Sequence, residues 1–181
     1  MIYLLCALEA EVPHLKLPDG MTLVLTGVGK VNAAYIATKI ASADDCTQIL
    51  NYGTAGTLDA QFAGQLLRVK EIRQRDMDAE PLVALGDTPF DLPEVSSALK
   101  IAEEGVVLST GDNFVRARPE IASDLVDMEA YAIAKVCARE GVPFTCYKYV
   151  TDLADENASE NWRDNVAAGQ AAFQNLLNTE F

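Results

Sequence analysis

Histidine is nearly absent from this 181-residue chain; His14 is the only one. Without a second imidazole, and with no carboxylate cluster at ligand spacing, a metal centre is not expected. His14 reads as a surface or structural residue. Cysteine is sparse too. Cys6, Cys46, Cys137 and Cys146 stand far apart in apolar or helical surroundings. They show neither the Cys-x-x-Cys pairs of a zinc site nor the density of a secreted scaffold, and so read as small buried hydrophobes. Basic residues are outnumbered, 14 Lys and Arg against 27 Asp and Glu, for a net charge of −13. That balance repels a phosphate backbone and argues against nucleic acid as a partner. The acidic residues are scattered rather than gathered in a tail, the pattern of a solubilising surface. No apolar run reaches the ~18 residues of a membrane span, and no basic, cleavable leader is seen. No membrane partner is therefore expected, and a cytoplasmic location is the default.

What is there is half apolar, enough for one packed core and short for two, so a single domain over residues 1–181 is expected. Met1 to Leu8 is an apolar run without a polar helical face, and it ends at Glu9 and Glu11. It reads as a buried strand with carboxylates beyond its C-terminal end. After the turn signal Pro18-Asp19-Gly20, Met21 to Thr26 reads as a second strand, and Gly27 to Lys30 leads into a helix over Val31 to Ile40. Gln48 to Tyr52 reads as a third strand running into a small-residue loop, Gly53 to Thr57. Leu66 to Ile72 and Gly105 to Thr110 read as further strands. The proline-punctuated stretch from Gln74 to about Lys100 reads as a long loop with at most one short helix. Asp127 to Arg139 reads as a helix closed by Gly141, Phe144 to Val150 as a strand ending at Thr151-Asp152, and Asn161 to Leu177 as a last helix. Strands alternating with helices, and too apolar to have a wet face, predict a three-layer α/β/α sandwich around a mostly parallel mixed sheet.

In such sheets ligands sit beyond the C-terminal strand ends. Glu11, the Gly27 turn, the Thr54 loop, Asp112 and Asp152 all follow strands. Gly27-x-Gly29-Lys30 is a fragment of an anion-binding turn, and equally a plain tight turn, because it lacks both the third glycine of a dinucleotide fingerprint and the end of a P-loop. Gly53-Thr54-Ala55-Gly56 either cradles a ligand through its backbone or is a turn packed too tightly for larger side chains. Asp152, partly desolvated at a strand end, would hold a proton for transfer; its alternative role is a helix N-cap. Glu129, expected inside an apolar helix, needs a partner, either a bound polyol such as ribose or a buried lysine.

Taken in order, Ala7–Val12, Thr26–Ala34, Asn51–Gly56, Ser109–Val115, Val126–Ala130 and Thr151–Asp155 resemble the purine nucleoside phosphorylase and nucleosidase superfamily, on the branch of the 5′-methylthioadenosine/S-adenosylhomocysteine nucleosidases. The resemblance runs from about residue 1 to 175. It implies a homodimeric, cofactor-free enzyme that cleaves the N-glycosidic bond of a purine nucleoside, with Asp152, Glu11 and Glu129 as catalytic residues. By the same resemblance Asp152 protonates purine N7, Glu129 binds the ribose hydroxyls and Glu11 positions the attacking water. Phe114 stacks on the base, the Val115 backbone meets its edge, Met128 packs under the ribose, and Thr54 and Gly56 line the sugar and water site. Ala55, Asn113, Thr151 and Trp162 complete the expected substrate-binding set, Trp162 being equally readable as a core anchor of the last helix.

Two positions bear on the nucleophile. Asn51 stands where the phosphorylases of this superfamily carry a phosphate-binding arginine, and their other arginine falls near the acidic Glu9–Glu11 segment. Both changes favour water over phosphate. Against the family pattern, the chain is short of a hairpin between His14 and Met21 and of a helix before Gly105. These losses bear on the 5′-substituent pocket, which the family builds partly from the loop equivalent to Arg75–Asp78 and partly from a partner subunit. A phosphorylase and a non-catalytic nucleoside-binding protein of the same fold are the alternative readings.

Overall fold

The computed structural model describes residues 1–92, 95, 97–115, 117–153, 162 and 165–181. Residues 154 and 155 of the last family motif, and residues 161, 163 and 164 of the expected last helix, lie outside the described residues. The chain runs β1 (Ile2–Cys6), β2 (Met21–Leu25), α1 (Lys30–Ala41), β3 (Gln48–Thr57), β4 (Leu66–Gln74), β5 (Ala98–Lys100), β6 (Val106–Thr110), β7 (Leu125–Asp127), α2 (Ala130–Glu140), β8 (Phe144–Leu153) and α3 (Gln170–Glu180).

These elements form one mixed sheet flanked by helices. Its neighbours run β2-β1-β3-β7-β6-β4-β5, with β8 pairing both β3 and β4. Five pairings are parallel and three antiparallel. The pairings β3–β8, β8–β4, β4–β6, β6–β7 and β7–β3 make a closed circuit. The expected sandwich therefore carries a sheet that closes on itself over part of its width.

The layering follows from the alternation of side chains along the strands. Leu5 and Ile49 face one side and pack with Ala33 and Ala37 of α1 and Ile133 and Cys137 of α2. Leu4, Cys6, Leu50 and Tyr52 face the other and pack with Phe173 and Leu177 of α3. Tyr52 and Phe173 stack at 4.0 Å between ring centroids. Gly169 permits this approach, because a Cβ there would lie 2.3 Å from the Tyr149 ring. Gly141, left-handed at φ 68°, ends α2 as its sequence position predicts.

Several boundaries differ from the sequence reading. The Gly53–Thr57 loop is the second half of β3, because β8 and β7 supply ladder partners that its small residues do not advertise. The helix expected from Asp127 starts at Ala130; Leu125–Asp127 is strand β7, and Glu129 is the residue before the first helical turn. β8 continues past Val150 to Leu153. The 75–97 stretch is loop, without a helix among its described residues, and β5 follows it. The expected last helix is interrupted: Trp162 and Asn165 are helical, Val166 to Gly169 form turns and α3 begins at Gln170. Among the described residues no helix is long and apolar enough to cross a membrane.

Candidate active site

A cleft of about 250 Å³ opens where the C-terminal ends of β1, β3, β6 and β8 meet the β7–α2 junction. Its wall includes Glu11, Thr54, Ala55, Gly56, Asn113, Phe114, Val115, Met128, Glu129, Asp152 and Trp162. Of the twelve residues expected at the site, only Thr151 lies behind this wall, buried next to Asp152.

Glu11 is brought in by a short 3-10 turn that follows β1. Its side chain is 3 % exposed, yet both oxygens are satisfied. Oε2 accepts from the Ala7 and Leu8 amides at 3.1 Å each. Oε1 accepts from the Thr54 amide at 2.8 Å and from the Thr54 hydroxyl at 3.0 Å. Four protein donors thus fix the position of both carboxylate oxygens. The Thr54 hydroxyl in turn accepts from the Trp162 indole Nε1 at 2.9 Å, and Trp162 meets Phe114 edge to face with centroids 6.4 Å apart.

Glu129 stands before the first turn of α2, not within an apolar helix. Its Oε1 accepts from the Gly29 amide at 2.8 Å. Burial pushes its carboxyl up to about 7, and the neighbouring Asp127 carboxylate adds to this, against the opposing pull of Lys148 and the Gly29 N–H. The anticipated buried lysine exists, but it pairs elsewhere. Lys148 Nζ lies 2.9 Å from Asp127 Oδ2, with both side chains almost wholly buried. Burial disfavours the Lys148 ammonium, but the Asp127 carboxylate overrides this and holds its pKa above the ordinary lysine value. Asp127 also accepts from the Thr110 hydroxyl and the Ala130 amide, fixing the start of α2. Gly53 pairs with Lys148 in the ladder, and a Cβ at Gly53 would lie 3.1 Å from Glu11 Oε1 and 3.3 Å from Lys148 Nζ. Tight packing, one of the two readings open for that glycine, is what this geometry requires.

Asp152 owes its aim to a bulge. The β3–β8 register passes from Ala55–Val150 to Gly56–Asp152, leaving Thr151 as the extra residue, and such bulges re-aim side chains beside functional sites. Thr151 Oγ1 donates to Asp152 Oδ2 at 2.7 Å. Because Asp152 lies within β8, it is not the N-cap of a following helix.

The Gly27–Lys30 turn resembles an anion site, but protein carboxylates occupy it. The Gly29 amide goes to Glu129, the Lys30 amide to Asp112 at 2.8 Å, and Lys30 Nζ to Asp76 at 2.5 Å. Arg75, which sequence reasoning assigned only to a 5′-pocket loop, is buried in the cleft wall. Its Nη1 donates to the Ser109 and Asp127 carbonyls and its Nη2 to those of Gly111 and Asn113. Asn51 is buried in the sheet, donating to the Leu5 carbonyl at 2.8 Å. Lys148 was also missed, although a lysine amid the apolar run from Phe144 to Val150 is a signal of a buried charge. Among the described residues no group of three or more His, Cys, Asp or Glu side chains is placed to hold a metal ion.

Comparison with known proteins agrees with this architecture. The model of the phosphorylase superfamily matches residues 17–179. The 5′-methylthioadenosine/S-adenosylhomocysteine nucleosidase of Staphylococcus carnosus is 32 % identical, over 91 % of this chain and 84 % of that protein. Among solved structures, the nucleosidase of the same name from Helicobacter pylori aligns with a TM-score of 0.84 at 20 % identity, over 99 % of this chain and 98 % of its own. A futalosine hydrolase from Helicobacter pylori aligns at 0.85 and 22 %, over 99 % and 97 %. At those identities the two structures speak for the fold alone. Matched along most of its length by the family model and at 32 % identity by a relative, this chain belongs to the phosphorylase superfamily.

Proposed function

We propose that the chain, acting as one catalytic domain in the cytoplasm, hydrolyses the N-glycosidic bond of an adenine nucleoside such as 5′-methylthioadenosine or S-adenosylhomocysteine. The observation that carries this reading is the convergence of Glu11, Glu129 and Asp152 on one cleft from three separate elements. Their environments differ, which is what a division of roles requires. Asp152 delivers a proton to purine N7, so that the C1′–N9 bond breaks with its electron pair going to a neutral base. Glu129 accepts from the ribose hydroxyls. Glu11, held by four donors, orients the water whose oxygen bonds to C1′ and whose surplus proton leaves to solvent, restoring the balance of the proton given by Asp152. Carboxylates around the sugar stabilise its oxocarbenium-like transition state. Phe114 stacks on the base, the Val115 backbone meets its edge, and Met128 packs under the ribose.

Water rather than phosphate is the nucleophile. A phosphate dianion needs cationic donors. Among the described residues Arg75 is the cationic side chain in the cleft wall, and its guanidinium is engaged with four backbone carbonyls. The anion-like turn at Gly29 is occupied by Glu129 and Asp112. The nucleosidase name of the Staphylococcus carnosus relative supports the same choice. The test is release of free base from methylthioadenosine, S-adenosylhomocysteine, adenosine and inosine, with and without phosphate. Release from the adenine nucleosides without phosphate is expected. A phosphate requirement would overturn hydrolysis, and tight binding without release would mark a nucleoside-binding protein.

A further inference from the structure

The single tryptophan of this chain stands in the active-site wall with its one polar atom directed at the machinery rather than at solvent. An indole N–H can only donate. The Thr54 hydroxyl must therefore accept from Trp162 at 2.9 Å. Its own single hydrogen is then directed to Glu11 Oε1, 3.0 Å away, an acceptor. The direction of the chain Trp162 → Thr54 → Glu11 follows from the donor inventory alone. With the indole as donor and the carboxylate as acceptor, the hydroxyl has a single orientation that satisfies both partners. The edge-to-face contact with Phe114 sets the indole plane and so the line of its N–H.

We propose that Trp162 is a positioning residue for Glu11: its indole N–H fixes the Thr54 hydroxyl on the carboxylate, and so fixes the oxygen that orients the attacking water. This rests on the hydrolytic reading above. It assigns Trp162 a role distinct from contact with the nucleoside, and one that phenylalanine, with the same edge contact available to Phe114 but no donor, does not fill.

The test is a double-mutant cycle on base release from methylthioadenosine. Trp162→Phe is expected to lower kcat about five-fold, the factor of a single neutral hydrogen bond, with KM within about two-fold because the aromatic wall is kept. In a Thr54→Val background the same change should leave kcat nearly unaltered, while in Thr54→Ser, which keeps the hydroxyl, the five-fold loss should return. Losses that simply multiply in the Thr54→Val background, or a rise in KM with kcat unchanged, would overturn the proposal and leave Trp162 as a packing residue. A second readout needs no turnover. The lone indole N–H gives one resonance in a ¹H–¹⁵N spectrum, and Thr54→Val should move it upfield and speed its solvent exchange. An unmoved resonance overturns the hydrogen bond. An unmodified protein that releases no base from any nucleoside overturns the hydrolytic reading, and the catalytic role of Trp162 with it, so the two failures are told apart.

Discussion

At the scale of single residues, the three carboxylates differ in what surrounds them, and each difference has a measurable consequence. Asp152 lies on the bulge of β8 beside the cleft, and its proposed task is to give up a proton. Asp152→Asn keeps the shape and removes the acid, so kcat for base release is expected to fall by about 10²–10⁴, with the thermal melt little changed. Unaltered turnover would remove Asp152 from the mechanism. Glu129 is buried, and its carboxyl is pushed up to about 7 chiefly by that burial. A carboxyl whose folded pKa is raised contributes its stability below the unfolded value, and loses it as pH rises through the folded one. Glu129→Gln removes the charge, so its Tm should match that of the unmodified protein near pH 4.5 and exceed it increasingly up to pH 8. A Tm difference independent of pH would contradict the dominance of burial. Glu129 and Asp152 were both visible as candidates in the sequence, as carboxylates beside apolar segments. Arg75 was not, because its partners are backbone carbonyls of Ser109, Gly111, Asn113 and Asp127, and a carbonyl leaves no mark on residue identity.

At the scale of elements, the turn between β2 and α1 links the site to the helix layer. Gly29 sits at φ 91°, ψ 157°, a region reached almost only by glycine, and a Cβ there would approach Asp112 Oδ1 to 3.2 Å. Gly29→Ala should cost roughly 1–3 kcal/mol of stability through backbone strain. It should also raise the nucleoside KM, since the Gly29 amide no longer steadies Glu129. Denaturant melts and steady-state kinetics check the two parts, and a variant unchanged in both would refute the role of the turn. Strand and helix positions were largely legible because buried strands and amphipathic helices write their periods into the sequence. The misread ends share one cause. Gly53–Thr57 and Leu125–Asp127 are strands because neighbouring strands pair with them, not because of their own composition; small residues and a three-residue strand carry little intrinsic preference.

At the scale of the whole molecule, the expected homodimer has a physical motive. Val28, Val31 and Tyr35 lie exposed around the start of α1, with Val31 80 % and Tyr35 62 % exposed. Val31 and Tyr35 are four residues apart and share a helix face. A second copy covering that face would close the side of the cleft where Val28 stands. Light scattering should therefore give twice the chain mass, and Val31→Lys with Tyr35→Lys should shift the protein toward monomer. A monomeric unmodified protein would refute the dimer.

The linear order of residues was sufficient for the layered α/β architecture and the family, and to single out the three carboxylates as candidates, because periodicity and local motifs depend on near neighbours along the chain. Tertiary structure alone decided that Lys148 pairs with Asp127 and not Glu129, that the Gly29 turn is filled by carboxylates, and that Trp162 reaches Glu11 through Thr54. Each of these joins residues far apart in sequence, and long-range pairing is set by which strands lie side by side, where a bulge falls and how large the intervening side chain is. None of those has a period to read.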